Sequence, residues 1–204
     1  GNTIEGSVQI FRYTGNSEKT PSDDFGLNRL LFRGNNVKNI DNTFISLSYC
    51  PYNYVEVSSN IVRNWRFRFF NASLSAEEEN IGIRDYMKTA YIFDNIAICD
   101  DGWWARESLE PYFVFALVQG RNLIYENNHV EGMKANFEVA LYDVYASCEN
   151  VYYKNNVYKN NAIFADRHSI LMKAKTHGYR LYKNNRYIVE QSFVDLYSNG
   201  NEPI

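Results

Sequence analysis

Proline, cysteine and histidine are scarce in this sequence. Its 204 residues include four prolines, three cysteines and three histidines, against 17 tyrosines, 13 phenylalanines and 26 asparagines. Three cysteines without CxxC spacing argue against a disulfide-built scaffold and indicate buried free thiols, although a disulfide between two of them is the open alternative. The histidines, His129, His168 and His177, are too scattered for a metal-binding signature. Abundant Tyr, Phe and Asn with little Pro favour β-strands joined by tight polar turns.

Long apolar runs and a dominant charge are missing as well. No stretch of about 18 apolar residues exists, so the sequence predicts no membrane-spanning helix. The net charge is only −3 and 45% of the residues are hydrophobic, which argues against a disordered chain and against nucleic-acid binding through bulk charge. The opening residues, GNTIEGSVQ, lack the charged and apolar regions of a signal peptide; a signal that has been trimmed away is the open alternative. The length suits one domain, residues 1–204. The alternative is that the sequence is a fragment of a longer chain.

A degenerate repeat runs through the chain. Seven segments each contain two alternating apolar residues, a short polar step with Asn and usually another apolar residue. The alternating pairs are Val8/Ile10, Leu30/Phe32, Val55/Val57, Ala90/Ile92, Leu123/Tyr125, Val151/Tyr153 and Tyr179/Leu181, spaced by 22, 25, 35, 33, 28 and 28 residues. Further β-like runs such as TFISLS (43–48) and RFRFF (66–70) follow the turns. Each unit therefore contains at least two short strands, which can bury their apolar face only by stacking on the next unit.

Two architectures fit such a repeat: a β-solenoid with parallel strands stacked coil on coil, and a sandwich of antiparallel hairpins. The asparagines favour the solenoid, because hairpin turns prefer Asn-Gly and no Gly follows the recurring Asn. Asn tolerates a left-handed backbone, and its amide both donates and accepts, so amides of successive coils can form a ladder at the strand spacing of about 4.8 Å. The candidate ladder or turn residues are Asn36, Asn60, Asn95, Asn128, Asn156 and Asn185.

The corners YENNHV (125–130) and YKNNVYKNN (153–161) resemble those of the right-handed parallel β-helix in the pectin-lyase-like superfamily. The resemblance extends over residues 7–198 and implies an all-β fold, a right-handed parallel β-helix (β-solenoid) of about seven coils. Proteins of this superfamily include polysaccharide lyases, glycoside hydrolases, bacteriophage tailspikes and surface proteins of carbohydrate-using bacteria. It therefore implies an extracellular or cell-surface protein with a polysaccharide or oligosaccharide partner. The corners are specific for the fold, and no family's complete catalytic motif is recognisable.

The long connections of a solenoid are where it builds a binding face. The segment CDDGWWARESLEPY (99–112) places carboxylates, indole rings and a guanidinium close together. Aromatic faces stack on sugar rings, carboxylates do acid and base work, and Arg binds a uronate bidentately. The candidate catalytic carboxylates are Asp100, Asp101 and Glu107, and the candidate substrate-binding residues are Trp103, Trp104 and Arg106. The structural alternative is that one Trp fills a gap in the core while the charges are solvated.

Strand alternation predicts a second candidate site, on outward-facing charged residues. A β-eliminating lyase needs a cation beside the uronate carboxylate and a base for the C5 proton, and Arg68 and Lys173 are the candidates for these catalytic roles. Glu138 is a candidate substrate-binding residue that could also hold a calcium ion, the one cofactor considered. The alternative is that these charges only keep exposed strands soluble.

The sequence thus predicts an extracellular or surface β-helix that engages carbohydrate on a lateral face. In its enzymatic version the protein is a polysaccharide lyase or a glycoside hydrolase. The alternative is a non-catalytic structural or adhesion domain, of the tailspike or surface-stalk type, whose Asn ladders and aromatic stacks serve rigidity alone. The sequence predicts nothing about oligomeric state.

Overall fold

The computed structural model describes residues 1–6, 10–14, 26–48, 50–66, 69–73, 87–100, 120–132, 148–160, 180–188 and 190. These residues form sixteen β-strands and no helix. The strands are β1 Thr3–Glu5, β2 Phe11–Thr14, β3 Leu27–Arg33, β4 Asn36–Ile40, β5 Ile45–Ser48, β6 Tyr52–Ser58, β7 Ile61–Trp65, β8 Phe70–Ser73, β9 Met87–Phe93, β10 Ile96–Ile98, β11 Gly120–Glu126, β12 His129–Glu131, β13 Cys148–Lys154, β14 Val157–Lys159, β15 Arg180–Lys183 and β16 Arg186–Ile188. Within these ranges, no helix has the length and apolar character that a transmembrane span requires.

The strands form three sheets whose neighbours come from successive repeats. The seven-stranded sheet has the order β1-β4-β7-β10-β12-β14-β16, the six-stranded sheet β15-β13-β11-β9-β6-β3, and the three-stranded sheet β2-β5-β8. All strand pairs among the described residues are parallel. Parallel neighbours cannot be joined by two-residue hairpins, so the described residues do not form the antiparallel sandwich. The arrangement is consistent with a parallel β-helix.

The core is built from the inward-facing residues of these strands, stacked in columns. In the six-stranded sheet, Leu30, Val55, Ala90, Leu123 and Val151 form one column and Phe32, Val57, Ile92, Tyr125 and Tyr153 the next. From Val55 to Tyr153 none of these side chains is more than 1% exposed. The rings of Tyr125 and Tyr153 stack with their centroids 5.4 Å apart. Five of the seven predicted apolar pairs are therefore confirmed.

The first predicted pair, Val8/Ile10, is not confirmed. Val8 lies outside the described residues, and Ile10 comes directly before β2, which pairs with β5 in the three-stranded sheet. Ile10 therefore leads into a different sheet from Leu30 and Phe32, because alternation alone does not tell the three sheets apart.

The last predicted pair, Tyr179/Leu181, is shifted by one residue. Arg180 pairs with the inward-facing Val151, so Leu181 pairs with Tyr152 in the outward column. The segment YRLYKNN has apolar residues at both parities, so its own pattern does not select a face. The corner that follows sets the register, and a shift of one residue exchanges the two faces of a strand.

Two consecutive residues with different roles form each corner between the six-stranded and seven-stranded sheets. The first residue adopts a left-handed backbone; these residues are Gly34 (φ 62°), Ser59 (φ 53°), Asp94 (φ 54°), Asn127 (φ 55°), Asn155 (φ 55°) and Asn184 (φ 55°). The second residue is an Asn that makes the ladder bonds. In the first doubled Asn of YKNNVYKNN, Asn155 therefore turns the backbone and Asn156 makes the amide bonds.

The ladder contains Asn2, Asn35, Asn60, Asn95, Asn128, Asn156 and Asn185, separated by 33, 25, 35, 33, 28 and 29 residues. At each step, the backbone N–H and the Nδ2 of one Asn donate to Oδ1 of the next, at 2.9–3.3 Å. The predicted ladder is confirmed at five positions and wrong at Asn36, which is exposed at the start of β4. Asn35 takes its place, because Gly34 already supplies the left-handed residue.

Candidate functional site

The outward face of the six-stranded sheet contains a carboxylate that is almost fully buried. Glu56 is only 4% exposed. Arg33 donates to it bidentately, from Nε to Oε1 at 2.5 Å and from Nη2 to Oε2 at 2.6 Å. Ser58 Oγ donates to Oε1 at 2.6 Å and the Tyr54 hydroxyl to Oε2 at 3.1 Å. We call these four residues, Arg33, Tyr54, Glu56 and Ser58, the Glu56 cluster.

The electrostatics of the Glu56 cluster keep its carboxylate ionised. The hydrogen bonds from Arg33 lower the pKa of Glu56 to about 2, against the opposing effect of burial, with further contributions from Ser58 and Tyr54. The same contact raises the pKa of Arg33 above its usual value. Burial and the neighbouring Glu56 raise the pKa of Tyr54. Glu56 is therefore a fixed acceptor that holds Arg33 and Tyr54 in place, and it does not act as a proton donor near neutral pH.

A second carboxylate, Glu126, lies on the same sheet. The Tyr91 hydroxyl donates to Glu126 Oε2 at 2.6 Å, and Lys154 Nζ lies 3.0 Å from the same oxygen. Burial alone would raise the pKa of Glu126, but the hydrogen bonds from Tyr91 and Lys154 outweigh burial and lower it. The Tyr91 ring packs against Phe93 with the centroids 4.2 Å apart. We call Tyr91, Glu126 and Lys154 the Glu126 cluster.

The two clusters are joined through Tyr91. Tyr91 is the register partner of Glu56 across β6 and β9, while its hydroxyl bonds to Glu126 on β11. Adjacent to them, the Arg29 guanidinium lies 5.6 Å from the ring centroid of Tyr54, within cation–π range. The face therefore combines aromatic rings with cations held in defined positions.

The six-stranded sheet is more cationic than the whole chain. Without Arg180, which is in register with the inward-facing Val151, its strands carry six Lys or Arg and three Glu, a balance of 6 − 3 = +3, in a protein of net charge −3. Local positive charge on an acidic protein attracts anionic ligands to that face.

Of the site residues predicted from sequence, only Asp100 lies among the described residues. It follows β10 of the seven-stranded sheet, where its N–H donates to Asn64 Oδ1 at 2.8 Å and Asn64 Nδ2 donates back to Asp100 Oδ2 at 3.2 Å. Arg63 Nη1 lies 3.4 Å from Asp100 Oδ1. Asp100 is thus attached to a corner of the seven-stranded sheet, on a different sheet from Glu56 and Glu126. The other predicted site residues, Arg68, Asp101, Trp103, Trp104, Arg106, Glu107, Glu138 and Lys173, lie outside the described residues.

A third polar cluster lies on the outward face of the seven-stranded sheet. His129 Nε2 is 2.9 Å from Glu131 Oε2, and Lys159 Nζ is 3.2 Å from Glu131 Oε1. Burial would raise the pKa of Glu131, but the hydrogen bonds from His129 and Lys159 lower it below its usual value. Across the described part of the chain, no three or more His, Cys, Asp or Glu side chains converge closely enough to hold a metal ion. The predicted calcium residue, Glu138, lies outside that part.

No family model matches the chain, and no curated protein or solved structure is significantly similar to it. Function therefore has to be inferred from the geometry.

The residues that sequence reasoning missed are those of the Glu56 and Glu126 clusters. The available signal was a Glu between two core valines in YVEVSS, which strand alternation places on the outward face.

Proposed function

We propose that this chain is a right-handed parallel β-helix of about seven coils that binds an acidic polysaccharide outside the cell or at its surface. The three parallel sheets and the Asn ladder support a parallel β-helix. The right-handed winding is supported by the rule that parallel crossover connections are right-handed in nearly all proteins. The binding surface is the outward face of the six-stranded sheet.

The observation that carries the proposal is the geometry of Arg33. Its side chain is 50% exposed, while Nε and Nη2 are held by the nearly buried Glu56. A guanidinium has five N–H donors, so the edge that faces away from Glu56 still offers a fork of N–H groups to a ligand. A fork held in one orientation loses little entropy when it binds a planar carboxylate such as that of a uronate.

The surroundings of Arg33 favour an acidic saccharide over a neutral one. Arg29 and Tyr54 provide a second cation beside an aromatic ring. The strands of this sheet carry an excess of Lys and Arg. Hydroxyl-rich rings that carry carboxylates match a surface that combines aromatic rings with cations.

The described face supports binding rather than catalysis. Both clustered carboxylates, Glu56 and Glu126, have lowered pKa values, whereas a general acid needs a raised one. A lyase or hydrolase version of the proposal rests on the connection between β10 and β11, with Trp103, Trp104 and Glu107. Because both oxygens of Glu56 are bonded within the cluster, this carboxylate favours the second candidate function, a rigid non-catalytic adhesion or structural domain.

The test compares binding of an acidic polysaccharide, polygalacturonate, with binding of a neutral glucan by affinity electrophoresis and calorimetry. We expect binding of polygalacturonate that weakens as salt rises, and a loss of about fivefold or more in Arg29→Glu and Lys183→Glu, whose side chains are exposed on this sheet. The matched control is Arg186→Glu, an equal charge reversal on the seven-stranded sheet. Failure to bind any acidic polysaccharide, or an equal loss in the control, contradicts the proposal.

Catalysis is tested on the same polysaccharides. Unsaturated products absorbing in the ultraviolet identify a lyase, and new reducing ends without that absorbance identify a hydrolase. Binding without either product assigns the protein to the non-catalytic class.

A further inference from the structure

The outward face of the seven-stranded sheet presents two columns of side chains. The first column contains Thr3, Asn36, Ile61, Ile96, His129, Val157 and Arg186, and the second Glu5, Lys38, Arg63, Ile98, Glu131, Lys159 and Ile188. Ile61 and Ile96 are direct register partners, and each is 39% exposed. They are two of the three large hydrophobic residues that are exposed in the described part of the chain. These adjacent exposed isoleucines give the face an apolar centre that a partner could cover.

The charges on this face are arranged so that the face is complementary to itself. Along the second column they run from Glu5 and Lys38 at one end to Glu131 and Lys159 towards the other. A rotation of 180° about an axis along the strands, midway between β7 and β10, brings β4 opposite β12 and β1 opposite β14. Lys38 of one copy then faces Glu131 of the other, and Glu5 faces Lys159. The same rotation places Ile61 opposite Ile96, and it places Arg63, which pairs with Asp100 in its own copy, opposite Ile98.

We propose that this face binds a second copy of the chain, in an isologous dimer whose two coil stacks run antiparallel. An isologous interface uses the same patch on both copies, so each complementary contact occurs twice. The other two-fold axis, along the coil stack, places each strand opposite itself, so that Ile61 meets Arg63 and Lys38 meets Asn36. That arrangement loses both the apolar contact and the Lys38–Glu131 pairing.

The ion pairs within one copy leave their charged side chains partly exposed, so that they can also contact a second copy. Lys38 Nζ lies 3.5 Å from Glu5 Oε1, with the two side chains 48% and 62% exposed. Lys159 lies 3.2 Å from both Glu131 and Glu190. A second copy therefore extends existing pairs into networks, and it desolvates no charge that lacks a partner.

The size of the face sets the expected strength. Seven strands at about 4.8 Å span about 29 Å, and three residues at about 3.3 Å span about 10 Å. This footprint is well below the roughly 800 Å² per partner of a standard stable interface. The dimer is therefore weak, and it dissociates on dilution and at high salt.

The test is the oligomeric state of the full chain, measured by sedimentation velocity and light scattering from about 1 μM to about 1 mM at low salt. We expect a monomer–dimer equilibrium that Ile96→Asp abolishes; circular dichroism checks that this variant folds. Lys38→Glu and Glu131→Lys should each weaken the dimer by about tenfold, and the double variant should restore it, because both copies then present the reversed pair.

The matched control is a pair of equal reversals on the six-stranded sheet, Arg121→Glu and Glu149→Lys, at residues that pair at 3.3 Å. These variants should leave the equilibrium unchanged. A monomer at every concentration overturns the proposal. So does a dimer that tolerates Ile96→Asp, or a double variant that is no stronger than the single ones.

Discussion

Replacing a single ladder residue, Asn128→Ala, tests whether the buried amides hold the coils together. Asn128 is 1% exposed. Its Oδ1 accepts from the N–H and Nδ2 of Asn95 at 3.1 and 3.0 Å. Its Nδ2 donates to Asn156 Oδ1 at 3.0 Å and to the Ile92 carbonyl at 2.9 Å. The substitution therefore leaves two buried donors of Asn95 and one buried carbonyl without their partner.

The magnitude follows from these lost bonds. Each unsatisfied buried polar group costs about 1–3 kcal/mol, and water or local relaxation recovers part of the loss in a site vacated by the side chain. We expect Asn128→Ala to lower the free energy of unfolding by about 3–5 kcal/mol. That corresponds to a fall in Tm on the order of 10 °C for a chain of this length. Urea unfolding followed by circular dichroism measures it, and an unchanged m-value shows that the compared states are the same.

Neighbouring asparagines provide matched controls. Asn127 precedes the ladder residue, is exposed and has φ 55°, so Asn127→Gly should change stability by less than about 0.5 kcal/mol. Asn36→Ala, next to the ladder residue Asn35, should be equally mild because Asn36 is exposed. An Asn128→Ala protein within about 1 kcal/mol of the original would refute the reasoning, as would a control that costs as much.

Three further predictions concern buried ionisable groups. The pKa of Glu56 is about 2 against an ordinary 4.5. Its ionised form therefore stabilises the folded chain above pH 4.5, and this stabilisation is lost as the pH falls towards 2. Urea unfolding across that interval should show a loss of up to about 3 kcal/mol in the free energy of unfolding, and Glu56→Gln should not show it. Arg33→Ala leaves that carboxylate buried without its cation and should lower the midpoint of thermal unfolding. Arg33→Met with Glu56→Leu should lower it clearly less, and equal losses would contradict this. Burial raises the pKa of Cys50 to about 11 and that of Cys99 well above its usual value. In a Cys148→Ser variant, Ellman's reagent should therefore label neither thiol until the chain unfolds. Rapid labelling of the folded protein would contradict the burial of these thiols.

The periodic features of the fold were predictable because they are local and repeated. Two alternating apolar residues followed by a polar corner identify a strand and its turn in each unit, so the pairs from Leu30/Phe32 to Val151/Tyr153 were placed in the correct register. The absence of Gly after the recurring Asn correctly favoured parallel stacking over hairpins. The errors occur where the local pattern is degenerate. In Gly34-Asn35-Asn36 either Asn fits the pattern, and in YRLYKNN apolar residues occupy both parities.

The candidate site was much less predictable. Arg33 and Glu56 are 23 residues apart, and Tyr91 and Glu126 are 35 apart. Each of these residues looks like an ordinary outward-facing strand residue in its own segment. The segment that attracted prediction most, CDDGWWARE, lies mostly outside the described residues and has no repeat that would place it. The sequence analysis therefore selected a segment of unusual composition as the candidate site. The clusters in the structure are instead formed by common residues that the register between strands brings together.

The sequence by itself determined that the chain forms short parallel strands with a recurring Asn corner, because side-chain alternation and the bonding capacity of an amide act within a few residues. The tertiary structure alone decided which of two adjacent asparagines enters the ladder and which outward side chains meet. Those choices depend on register between coils whose lengths vary from 25 to 35 residues. A shift of one residue in that register exchanges the buried and exposed faces of a strand, so it is fixed only when all the coils pack together.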